Sequence, residues 1–193
     1  MMKIYMCKSE PSDKRYCFVR RHKSPCSYPL AHGVPVAPKL EKLGDEGITL
    51  DLDEVSGALD LPDLVGNIRN YLIMRKALAK RVVEEFALGP HEVVPTTLMN
   101  SKGRVHADDY VTLNPHGKSE CLDTVRSEMD DDDDDPAVRL FGKFCLKTLE
   151  LPTELDLFRV KGIVVGYMYS ESLVAFLRAE GATNFVFHDV ALS

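Results

Sequence analysis

No apolar run in this 193-residue chain approaches the ~18–20 positions that a bilayer-spanning helix needs. The N-terminal MMKIYMCKSEP lacks an apolar core ending in a small-residue cleavage site, so no secretory signal is expected. The five cysteines (Cys7, Cys17, Cys26, Cys121, Cys145) are odd in number and scattered, which argues against a complete disulfide framework and for a reducing cytoplasm. A close cysteine pair is also missing. Cys17-x4-His22-x3-Cys26 has the residue types of a zinc knuckle but not its persuasive spacing, and reduced, partly buried thiols explain it as well. A phosphate-cradling loop is lacking too: Gly162-x3-Gly166 lies in a strand-like pattern, not at a strand-to-helix turn followed by Lys and Ser or Thr.

What is present suits a globular chain. Hydrophobic residues make up 45% and charged residues 28%, so wholesale disorder is not expected, and residues 1–193 fit a single domain. The net charge of −6 is unevenly spread. Asp130 to Asp135 form an unbroken run, without which acidic and basic residues balance. Residues 1–43 are basic and proline-rich and carry +6, leaving −12 on the remainder. Such segregation fits a partner-facing acidic surface, or an acidic loop over residues 129–136 folded against a basic arm. The cluster Arg20-Arg21-His22-Lys23 has the charge of a nucleic-acid patch but no repeated aromatics, and a solvated loop accounts for it.

Periodicity gives a sketch of the elements. Met2–Cys7 alternates like a strand with one buried face, as does Gly47–Leu52. Prolines at 11, 25, 29, 35 and 38 predict loop or extended chain over most of Lys8–Lys39, with a short strand at Tyr16–Val19. Leu61–Leu64 reads as the entry to a helical turn, and Tyr71–Met74 as a buried strand. Leu78, Val82 and Phe86, flanked by Ala79 and Val83, predict an amphipathic helix over 76–88, stopped by Gly89-Pro90. His91–Leu98 and Asp108–Asn114 read as a hairpin across Asn100–Gly103. Gly162–Met168 reads as a β-rich run, followed by a helix capped by Ser170 and a last strand over Asn184–Val190. The order strand, helix, glycine, strand thus occurs twice, with Leu78 matching Leu173 and Val82 matching Leu177. The expected class is α+β: a two-layer domain with a mainly antiparallel or mixed sheet carrying two strand–helix–strand units.

Chemistry-bearing residues are few, and no cofactor or resident metal is expected. His116, Cys121 and Asp123 contain the types of a base, a thiol nucleophile and an orienting acid; a buried structural thiol is the plainer reading. His106 with Asp108 and Asp109 could ligate a metal, or simply decorate an exposed hairpin edge. A small metal- or thiol-dependent hydrolase built on the His106–Cys121 neighbourhood is therefore one alternative, and a regulatory binding module outside any toxin system is another. The six aspartates read either as solvated chain or as an anionic lure that speeds docking of a basic protein.

The ordered motifs point further. Leu113-Asn114-Pro115, then Cys121-Leu122-Asp123 and Arg126-Ser127-Glu128, resemble the signature of the eleventh class of bacterial polymorphic-toxin immunity proteins, the Myxococcus-type domain. Leu157-Phe158-Arg159, Tyr169 to Leu173 and Gly181-x3-Phe185 are similar to that family's close, and Leu61-Pro62-Asp63 and Val93-Val94-Pro95 also fit. The likeness spans residues 61–190, with Thr124 where the family pattern has an aromatic. It implies a non-enzymatic protein that binds and neutralises a cognate toxin by stoichiometric occlusion, with no nucleic acid or membrane as partner. Under it, Asn114, Pro115, Cys121, Asp123 and Ser127 are structural motif residues. The partner-facing candidates, read from charge, are Asp130, Asp131, Asp132, Asp133, Asp134 and Asp135, with Asp108 and Asp109.

Overall fold

The structure is a computed structural model, and it describes residues 2–9, 16–21, 25–53, 60–69, 71–128, 143–163 and 166–193. In chain order the elements are β1 (Ile4–Lys8), β2 (Phe18–Arg21), α1 (Ser27–His32), α2 (Ala37–Leu43), β3 (Ile48–Leu52), β4 (Leu64–Asn67), β5 (Leu72–Arg75) and α3 (Lys76–Glu85). There follow β6 (His91–Met99), β7 (Val105–Pro115), β8 (Cys145–Leu146), β9 (Leu157–Phe158), β10 (Met168–Ser170), α4 (Glu171–Ala179), β11 (Val186–Asp189) and β12 (Ala191–Leu192). The fold is α+β with antiparallel and mixed sheets. Six strands close into a barrel in the order β2-β3-β6-β7-β5-β4, four form a sheet in the order β11-β1-β10-β9, and β12 pairs with β8. No helix among the described residues is long and apolar enough to cross a membrane.

The duplicated pattern is realised as two split crossovers. β5 and β6 both run antiparallel to β7, so they are parallel to each other with α3 as their connection. β10 and β11 stand in the same relation about β1, with α4 between them. Each helix starts directly off its strand, where Arg75 and Ser170 keep extended ψ values of 131° and 160°. Ser170 Oγ accepts from Leu173 N at 3.2 Å, the cap expected at that serine. The expectation that both units share one sheet is corrected. β4 pairs with both β5 and β2, which closes the barrel and leaves β5 no edge for a second unit.

The units meet through one core. Ala79 and Val82 of α3 and Leu173, Val174 and Leu177 of α4 pack together with Leu72, Met74 and Leu113 from the barrel and Tyr5, Leu157 and Tyr169 from the sheet. Alternate residues of β5 and its neighbours turn the other way: Ile73, Val65 and Tyr110 join Leu50, Val94 and Leu98 in a second cluster. Burial on both faces is why Tyr71–Met74 reads as a continuous apolar run. The far face of the four-stranded sheet, with Ile4, Phe158 and Met168, packs on Cys121, Leu122 and Leu146.

Two aspartates clasp the units reciprocally. Asp63, just before β4, accepts from Thr183 N (2.9 Å) and Thr183 Oγ1 (2.8 Å), in the chain leaving α4. Asp156, just before β9, accepts from Ala87 N (3.0 Å), in the chain leaving α3, and from Ser172 Oγ (2.8 Å). Asp63 thus bonds the chain that follows α4, and Asp156 bonds the chain that follows α3. Arg81 of α3 pairs with Glu180 and lies over the Phe176 ring, 4.7 Å from its centroid.

Three other expectations are corrected. Within Lys8–Lys39 lies α1 and begins α2, because Pro29 and Pro38 sit in first helical turns, where a missing N–H costs nothing. Leu61–Leu64 leads into strand β4 rather than a helix. The Gly162–Met168 run holds strand only from Met168, since Gly162 (φ 89°) and Gly166 (φ 151°) take conformations that break a ladder; residues 164–165 lie outside the described set.

The clasp makes a stability prediction. Asp156→Ala and Asp63→Ala should each lower urea-unfolding stability by about 1–3 kcal/mol, the loss of several hydrogen bonds to a charged acceptor. Loss below ~0.5 kcal/mol for both would mean that the clasps contribute nothing to the fold.

Candidate functional site

Two regions gather the chemically interesting residues. The first is a neck flanking the acidic run. Asp123 N donates to Cys145 O (2.9 Å), Lys147 N to Cys121 O (2.8 Å) and Glu128 N to Lys143 O (2.9 Å). The Asp123 carboxylate accepts from Val125 N (3.0 Å) and Arg126 N (3.1 Å), tightening the turn between them. Burial alone would raise its pKa; the Arg126 N–H, the Ser193 hydroxyl and the Val125 N–H outweigh that and hold it low. Ser127 Oγ donates to Asp123 O (2.6 Å) and accepts from Cys145 N (3.0 Å). The residues on either side of 129–142 are therefore bonded to each other. Asp130 to Asp135 themselves lie outside the described residues.

The second region is the shelf where α1 and α2 meet the barrel. α2 begins at Val36-Ala37, which have no side chain able to cap. Glu92 of β6 does it from across the fold: its carboxylate accepts from Val36 N (2.8 Å), Ala37 N (2.9 Å) and Asn114 Nδ2 (3.1 Å). Burial pushes the Glu92 pKa up, but the Ala37 and Val36 amides, Asn114 and His116 outweigh it and hold it below the ordinary value. His116 Nε2 lies 3.3 Å from Glu92 Oε2. Asn114, fully buried, donates also to Val34 O (3.0 Å). The Pro115 carbonyl accepts from Arg159 Nε (3.2 Å). Arg159 is 4% exposed and also donates to Leu30 O (2.7 Å), Ala31 O (3.0 Å) and the Tyr167 hydroxyl. It satisfies the last carbonyls of α1 and stacks on Tyr167, 4.3 Å from the ring centroid. A Cβ at Gly33 would meet the Arg159 side chain and Pro115 O at 2.9 Å, so only glycine fits there.

Beside this shelf, between α2 and the first half of β6, lies an open groove of about 350 Å³. Leu40, Val93, Val94 and Pro95 give it an apolar lining, and Glu41, Asp45, Glu46 and Glu92 give it negative charge.

The candidate residues separate in space. Asp108 is exposed, while Asp109 is bound to Arg75 at 2.7 Å, and Arg75 also reaches Leu61 O. His106 and His116 stand ten residues apart along β7, roughly 30 Å at ~3.3 Å per residue, so the His106–Cys121 neighbourhood is not one cluster. Cys121 is fully buried, and burial raises its thiol pKa; His116 faces Glu92, and Asp123 faces its own turn. Among the described residues no three His, Cys, Asp or Glu side chains could hold a metal ion. Cys17 and Cys26 are core residues, Cys17 with its pKa pushed up by burial to about 11, and His22 lies outside the described residues. Asn114, Pro115, Cys121, Asp123 and Ser127 hold backbone or core in place. Glu92, Arg159 and the groove were not anticipated, because each depends on partners distant in sequence.

Glu92 carries a pH-dependent share of stability. Its folded pKa is depressed from 4.5, so that share is complete above the unfolded value and is lost as pH falls through the folded one. Glu92→Gln should cost about 1–3 kcal/mol at pH 7 and flatten the acid limb of stability below pH ~4.5, read by urea unfolding from pH 3 to 7. An acid limb identical to that of the parent protein would remove Glu92 as its source.

No protein-family model matches this chain, and no curated protein matches it with significance.

Proposed function

We propose that this chain is an immunity-type protein that neutralises a basic toxin domain by one-to-one occlusion, with Asp130–Asp135 as its docking lure. The reading is supported by the ordered motif resemblance and by the charge segregation along the chain. The observation that carries it is the neck. Glu128 and Lys143 are hydrogen-bonded to each other, so the described chain on either side of the segment bearing six aspartates is joined at one point. The bonds of the neck use none of the six aspartates, so the run can be exchanged while those bonds are kept. Its charge would raise the association rate more than the lifetime of the complex.

Co-expression with the toxin domain encoded beside it should restore growth and yield a one-to-one complex; absence of both would overturn the reading. Replacing Asp130–Asp135 with Gly and Ser should leave thermal stability unchanged, slow association about tenfold at low salt and flatten its salt dependence. An unchanged association rate would remove the aspartate run from the interface.

A further inference from the structure

β6 is nine residues long, but β3 pairs with it only from Thr96 to Met99. The ladder stops at Pro95, which has no N–H to offer, and Gly47 approaches so closely that a Cβ there would lie 2.4 Å from Pro95 O. Upstream, Pro90 O accepts from His116 N, which fixes the alternation against β7. In an antiparallel ladder Glu92 and Val94 then direct their backbone groups toward β7, and Val93 directs its own away. Among the described residues no strand pairs with Val93 on that side. The space there is the groove of about 350 Å³ beneath α2, and the Val93 side chain is 45% exposed at its margin.

The groove's charge selects its occupant. The Glu92 carboxylate is committed to the start of α2 and to Asn114. Glu41, Asp45 and Glu46 are exposed, and no cation among the described residues pairs with them. Lys39 and Lys42 belong to the same helix but do not line the groove. A strand edge, an apolar lining and three uncommitted carboxylates together suit an extended chain that carries cations beside small apolar side chains.

We propose that this groove is a docking site for a short, extended, Lys- or Arg-bearing segment of a partner protein, which hydrogen-bonds to Val93 and continues the line of β3. The proposal takes from the preceding reading only that the partner is a basic protein, and it is independent of the aspartate run.

The probe is a capped peptide alternating Lys and Val, set against its Glu/Val counterpart and titrated into the full chain with backbone NMR detection. The expected result is saturable shifts confined to the amides of Leu40, Glu41, Asp45 and Val93–Val94, with the Glu/Val peptide inert. E41Q/D45N/E46Q should weaken binding at least tenfold. Val93→Pro, which deletes an N–H that β7 does not use, should abolish it; should that variant misfold, the charge variant decides. Shifts scattered over the surface, equal binding of the two peptides, or no saturable binding would overturn the proposal. Peptide binding that persists while toxin rescue fails would overturn only the immunity reading.

Discussion

The apolar contact between α3 and α4 is the constraint on which the rest of the molecule depends. α3 buries Ala79 and Val82, and α4 buries Leu173, Val174 and Leu177. Ala79 and Val82 share one core cluster with Leu173, Val174 and Leu177, together with Leu72 and Met74 of β5 and Tyr169 of β10, and Phe86 meets Phe176 at 5.1 Å between ring centroids. The reciprocal aspartate clasps add to it: Asp63, before β4, bonds the chain leaving α4, and Asp156, before β9, bonds the chain leaving α3. The barrel and the four-stranded sheet therefore share a core. Loss of burial at that seam exposes both, which is the physical basis for expecting one cooperative unit.

Local pattern carried much of this fold, because the helix period and hairpin turn chemistry are short-range signals. The Leu78–Val82–Phe86 spacing found α3, Ser170 marked the start of α4, and Asn100–Gly103 joined β6 to β7. Barrel closure was illegible, since it rests on two parallel pairings, β2 with β4 and β3 with β6, that no turn signal announces. The helices α1 and α2 were hidden by prolines whose cost vanishes in a first turn. Their ends are completed by Glu92 and Arg159, more than 50 and more than 120 residues away.

The same divide runs through the candidate sites. Motif residues Asn114, Asp123 and Ser127 were expected to be turn and structural residues, and they bond to the backbone of the shelf and the neck. The aspartate run was visible as charge, while its attachment at a bonded neck emerges only from Glu128 meeting Lys143 in three dimensions. The acidic groove had no linear signature: Glu41, Asp45 and Glu46 join Val93–Pro95 only because α2 lies beside β6. Of these places, the groove is the one where exposed carboxylates and unpaired strand backbone come together among the described residues.

Barrel and sheet, sharing the core to which α3 and α4 contribute, should unfold as one body. Native-state hydrogen exchange across increasing denaturant tests it most directly. The amides of Ile73 and Met74 in the barrel and of Tyr5 and Tyr169 in the sheet should open with one free energy and one denaturant dependence. Two opening free energies separated by more than ~2 kcal/mol would show the halves unfolding independently and contradict it.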